Sequence, residues 1–76
     1  MTAREMFEKL GYDYMKTEFE IFYYYAIRTY CDETDYIGIH FRLDDNTIST
    51  DITIDMQELQ VINKQVEELG WNNVKD

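Results

Sequence analysis

Between Glu18 and Ile54 the apolar residues fall on alternate positions, and the parity of that alternation changes once. A period of two puts successive side chains on opposite faces of an extended chain, so this stretch reads as strands of a sheet covered on one face. Residues 18–28 carry Phe19, Ile21, Tyr23, Tyr25 and Ile27 on odd positions, and residues 36–43 carry Ile37, Ile39, Phe41 and Leu43 there. In residues 47–54 the even positions Ile48, Ile52 and Ile54 take over. The switch constrains register, because a slip by one residue would turn every isoleucine to solvent. Asp45-Asn46 tolerates positive φ and predicts a two-residue turn. Leu43 then faces Ile48, with Arg42 opposite Ser49 and His40 opposite Asp51. A turn centred near Asp32 sets His40 opposite Tyr24 and Arg42 opposite Phe22.

A helix brackets this region on each side. Thr2-Ala3-Arg4-Glu5 forms a capping box, in which side chain and backbone at the two ends satisfy each other's amides. Ala3, Met6, Phe7 and Leu10 follow at helical spacing before Gly11, predicting a helix over 3–10 that ends with Tyr12 against Phe7. Asp55-Met56-Gln57-Glu58 repeats the box, and Ile54 is placed to staple onto Leu59. The stripe Leu59, Ile62, Val66 and Leu69, stopped by Gly70-Trp71, predicts a helix over 56–69. The echo of Glu8-Lys9-Leu10-Gly11-Tyr12 in Glu67-Glu68-Leu69-Gly70-Trp71 reads as two uses of one stop signal, since nothing between them repeats at a fixed period. The expected fold is α+β, in the order α-β-β-β-α. It is a three-stranded antiparallel meander with two helices packed on one face, a single domain over 1–76.

A chain of 76 residues buries only about 60% of its unfolded surface, which disfavours an enzyme with a large internal pocket. The net charge of −9 argues against DNA or RNA as ligand, because such binding draws on Lys and Arg that neutralise phosphates. A hydrophobic content of 45% with 16% aromatics is too high for disorder. The N-terminus opens into a charged amphipathic pattern, and no run of 18 apolar residues occurs, so the expected compartment is the cytoplasm and no membrane partner is expected. Cys31 is the sole cysteine; packing alone must hold the fold.

With the odd face in the core, the opposite face gathers Phe22, Tyr24 and Tyr36 with His40, Arg42, Arg28, Ser49 and Asp51. Tyr, Phe and Arg are enriched in protein interfaces, so Phe22, Tyr24, Tyr36, His40 and Arg42 form the candidate protein-contact face. Tyr23 and Tyr25 fall on the core face, and Tyr12 closes the first helix. The first strand also offers a long edge with little charge in its middle, suited to pairing with another strand.

Ser49, His40 and Asp51 share the open face and invite a triad reading, but an open sheet supplies neither an oxyanion hole nor a water-excluding pocket, and a cross-strand pair is the simpler account. Cys31 and His40 are about 23 Å apart along the strand at roughly 3.3 Å per residue, too far for a thiol dyad. The acidic runs at 31–35 and 44–46 lack calcium-loop spacing: a loop starting at Asp44 would want an oxygen ligand where Ile48 stands and Gly where Ser49 stands. No catalytic residue, cofactor or metal is therefore expected.

Helix-strand-strand-strand-helix resembles the element order of double-stranded-RNA-binding domains. Those domains begin their second helix with lysines that grip phosphate, where this chain has Asp55-Met56-Gln57-Glu58, so RNA binding is not carried over. Phe7-Glu8-Lys9-Leu10-Gly11-Tyr12 and Glu67-Glu68-Leu69-Gly70-Trp71 are similar to the ends of short uncharacterised proteins of Gram-positive bacteria and their phages. That resemblance implies an accessory protein of a phage or mobile element. The expected function is a small non-enzymatic domain that binds a protein or its own copy, through the sheet face or the edge of the first strand. One alternative is an acidic decoy that mimics nucleic acid toward a basic host protein; another is a small hydrolase built on His40.

Overall fold

The computed structural model describes residues 1–71. Its elements are α1 (Ala3–Lys9), β1 (Asp13–Lys16), β2 (Glu20–Arg28), β3 (Thr34–Arg42), β4 (Thr47–Thr50) and α2 (Met56–Leu69). The strands form one antiparallel sheet in the order β1-β2-β3-β4. The fold is α+β with both helices against one face, and the sheet has four strands where the alternation pattern predicts three.

The extra strand is β1, within the stretch read as a connection after the first helix. Thr17 creates it. Its hydroxyl accepts the amides of Phe19 and Glu20 at 3.2 Å each, and its own amide donates to the Glu20 carbonyl at 2.9 Å, which turns the chain back on itself. Glu18 and Phe19 therefore lie in a turn and β2 starts at Glu20. Phe19, expected in the core, is 65% exposed. The α-β-β-β-β-α sequence also departs from the element order of double-stranded-RNA-binding domains.

Both helix ends follow their capping signals. The two capping boxes are complete, with Thr2 and Glu5 at α1 and Asp55 and Glu58 at α2. Gly11 and Gly70 take φ of 99° and 75°. Tyr12 donates to the Phe7 carbonyl and Trp71 to that of Val66, both at 3.1 Å, closing matching Schellman turns. The buried face of α2 is rotated from the predicted stripe. Val61, Ile62 and Gln65 are buried while Leu59 is exposed. The helix packs on α1 as well as on the sheet, and Val61 borders Met6 and Leu10 of the first helical segment.

The core joins Phe7, Tyr12, Ile21, Tyr23, Ile39, Phe41, Val61 and Ile62. Phe7 lies at its centre, stacked on Tyr23 at 4.0 Å between ring centroids and edge-on to Tyr12 and Phe41. Odd positions of β2 and β3 face this core, as the alternation requires. The Tyr23 hydroxyl donates to Gln65 Oε1 at 2.5 Å, and the Tyr12 hydroxyl donates to Glu58, tying the sheet and the end of α1 to α2. The Ala3 amide donates to Glu68 Oε2 at 2.8 Å, so the helices run antiparallel.

Burial pushes the phenols of Tyr12 and Tyr23 above their ordinary value, with the Glu58 carboxylate adding to the effect at Tyr12. A folded pKa raised above the unfolded one stabilises the fold fully below the unfolded value of 10.0 and loses that contribution as pH rises toward the folded value. Stability should therefore fall above pH 10. Ultraviolet difference absorbance should show a tyrosinate phase that appears only with unfolding and is absent from the Tyr12→Phe, Tyr23→Phe double variant. A single phase completed before unfolding would contradict this.

The registers differ from expectation by an even number of residues. β2 and β3 pair Phe22 with His40 and Glu20 with Arg42, instead of Tyr24 with His40 and Phe22 with Arg42. The turn lies nearer the N-terminus because Asp32, at φ 57°, donates its amide to Thr29, and Thr29 closes onto Glu33. β3 and β4 pair Arg42 with Thr47 and His40 with Ser49, so the two-residue turn at Asp45-Asn46 is replaced by a loop over Leu43–Asn46. The Leu43 amide donates to the Phe19 carbonyl at 2.8 Å, which continues the β2–β3 register one step past Arg42 and leaves Leu43 unpaired with β4. β4 ends at Thr50 rather than at residue 54. The Asp51 carboxylate accepts the Gly38 amide at 2.7 Å, and Ile52 and Ile54 pack on the core from irregular chain.

Candidate contact face

Even positions of β2 and β3 point away from the helices, joined by the same-face partners that register assigns from β1 and β4. Phe22 is their centre. Its ring stacks on His40, centroids 3.9 Å apart at 11°, and on Tyr24, 5.0 Å apart at 22°. Tyr24 meets Tyr36 edge-on at 5.7 Å, so four rings run diagonally across three registers of the sheet. Phe22 is only 9% exposed although no helix covers it, because its neighbours enclose it. Tyr36 is 55% exposed and Met15 is 42% exposed. Met15, Phe22, Tyr24 and Tyr36 line an open depression of about 250 Å³.

Of the five residues assigned to the face, Phe22, Tyr24, Tyr36 and His40 form this continuous row. Arg42 stands at its end, with Asp44 at 3.6 Å and Asp45 at 3.8 Å. Sequence reasoning missed Met15, which reaches the face only because β1 exists and pairs it with Phe22. It also missed Glu20, whose Oε2 lies 3.0 Å from His40 Nδ1. Thr17 was the available signal for Met15, since a hydroxyl residue ahead of an alternating run is a turn former, whereas Glu20 comes beside His40 through the two-residue shift of the β2–β3 register.

The Ser49, His40 and Asp51 grouping is not assembled as a relay. His40 is directly opposite Ser49, but the Asp51 carboxylate is held by the Gly38 amide, and the partner of His40 is Glu20. Cys31 is exposed at the tip of the β2–β3 hairpin. Among the described residues no group of three or more His, Cys, Asp or Glu is placed to hold a metal ion, and no helix is long and apolar enough to cross a membrane.

The edge of β2 is half occupied. β1 covers Ile21–Tyr24, leaving only Tyr25–Arg28 open, which corrects the expectation of a long free edge. A second depression, about 380 Å³, lies at the start of α2 between Leu10, Tyr12, Tyr25, Asp55 and Glu58. The capping carboxylates of Asp55 and Glu58 already occupy this helix terminus, so it offers nothing to an anion.

Comparison with known proteins finds no matching family model, no matching curated protein and no matching solved structure.

Proposed function

We propose that this chain is a small, non-enzymatic, cytoplasmic accessory protein that contacts another protein, or its own copy, through the open sheet face. One observation carries the reading: a continuous row of packed rings, ending in an exposed tyrosine, lies on the side of the sheet away from α1 and α2. Tyrosine and phenylalanine supply large contact area at low entropic cost, and contiguous exposed apolar surface marks interaction sites. The resemblance of the chain's ends to short proteins of Gram-positive bacteria and their phages supports an accessory role in a mobile element.

The decoy alternative asks for carboxylates free to imitate a row of phosphates. Of the 16 Asp and Glu, Glu5, Asp51, Asp55, Glu58 and Glu68 each accept a backbone amide within this chain and are withdrawn from such a row. The contact reading is the better supported.

A photoreactive phenylalanine placed at Tyr36 in cells should give covalent protein adducts, and the same group at Glu67 on α2 should not. Adding Tyr24→Lys should abolish the Tyr36 adducts without changing the circular dichroism of the fold. Equal labelling from both positions, or adducts indifferent to Tyr24→Lys, would refute a contact face here.

A further inference from the structure

We infer that the occupant of the open face is a second copy of this chain, stacked face to face with its β2 antiparallel to β2 of the first; this rests on the contact reading above. Charge selects the occupant. The chain carries −9, yet the register places only two carboxylates, Asp13 and Glu20, against two guanidiniums, Arg28 and Arg42, on the strands of the open face, with Asp44 and Asp45 beside Arg42 at its end, so this face holds a small share of the negative charge. Two such chains repel over most approaches and least through this side. A strongly basic partner would be drawn to the acidic remainder of the surface instead.

The arrangement of those charges selects the orientation. Glu20 and Arg28 occupy opposite ends of β2, on the same face and about 26 Å apart at roughly 3.3 Å per residue. Arg28 has no ion-pair partner among the described residues. A twofold axis crossing β2 near Tyr24 sets Arg28 of each copy over Glu20 of the other and brings Tyr24 to the centre. Such a contact is isologous and closes at two copies. Face-to-face sheets pack about 10 Å apart, a spacing that tyrosine side chains from both sides fill.

The size of the face sets the strength. Nine residues of β2 and the widths between four strands give a footprint of roughly 450 Å², below the ~800 Å² per partner of a standard stable interface. The dimer should therefore form in the micromolar range or weaker.

Sedimentation equilibrium of the purified full chain, from 5 µM to about 1 mM, tests this. The mass should rise from 9.2 kDa toward twice that value. Arg28→Glu, at an exposed position with no ion-pair partner among the described residues, should weaken the dimer at least tenfold. Glu20→Arg should weaken it similarly, and the two together should restore it to within about threefold, a rescue that general stickiness does not give. A chain that stays monomeric to 1 mM while Tyr36 still yields adducts with another protein would overturn the self-pairing and leave the contact face standing. A dimer indifferent both to Arg28→Glu and to Tyr24→Lys would overturn both. A dimer lost with Tyr24→Lys but unchanged by Arg28→Glu would overturn the antiparallel arrangement.

Discussion

Gly38→Ala is expected to prevent the sheet from forming in its present shape. A methyl group built on Gly38 would lie 1.9 Å from the Tyr23 carbonyl oxygen and 2.7 Å from the Tyr24 Cα, both backbone atoms of β2. A flexible side chain could yield to such a contact, but two paired strands cannot without moving apart. Overpacking a well-filled interior costs about 1–3 kcal/mol and occasionally more, and a backbone contact this short belongs at or beyond the upper end. The loss would fall where β2 meets β3 at Tyr24, between the core face carrying Tyr23 and the open face carrying the ring row. Urea unfolding followed by circular dichroism should show a midpoint shift of at least 1.5 kcal/mol equivalent, together with dispersal of the Tyr24 and Tyr36 ring resonances. A variant with native stability would mean that β2 and β3 do not approach as closely as described.

Phe7→Ala should be at least as damaging. Phe7 is wholly buried and contacts Tyr12, Tyr23 and Phe41 by ring packing, so one side chain joins α1 to the sheet and to the turn that follows the helix. Removing a buried phenylalanine costs about 3–5 kcal/mol, while domains of this length have roughly 4–11 kcal/mol in total. A helix of seven residues has no independent stability to fall back on. The variant should populate the unfolded state measurably at 37 °C. Phe7→Leu, which keeps most of the volume, should recover the greater part of the loss. Equal stability of the alanine variant and the parent in urea would show that α1 is not held by this packing.

Local signals were legible wherever the chain satisfies its own backbone. Thr2, Glu5, Asp55 and Glu58 close boxes within four residues, and Gly11 and Gly70 end their helices by adopting positive φ, so both helices were readable to within a residue. The division of faces was legible for a different reason. Both register errors shifted the pairing by two residues, and a shift of two leaves every side chain on its own face. The ring row therefore survived in composition while its neighbours changed: His40 belongs with Phe22 and Glu20, not with Tyr24 and Asp51. What could not be read depended on contacts distant along the chain. The Asp51 carboxylate is drawn to the Gly38 amide, a partner that nothing beside it in the chain marks. β1 fell between these cases, since Thr17 was visible but four residues are too few to establish a period.

The sheet also has a way of stopping. β1 and β4 have four residues each, the open part of β2 is no longer, and beyond β4 the Asp51 carboxylate holds the Gly38 amide that an added strand would need. The Asp35 carboxylate likewise accepts the Tyr36 amide at 3.0 Å. Short, acid-plugged edges give incoming strands little to zip onto. Copies that meet edge to edge therefore have only short templates for fibre growth, and a tyrosine-rich chain of this kind can remain dispersed at the concentrations at which its broad faces begin to meet.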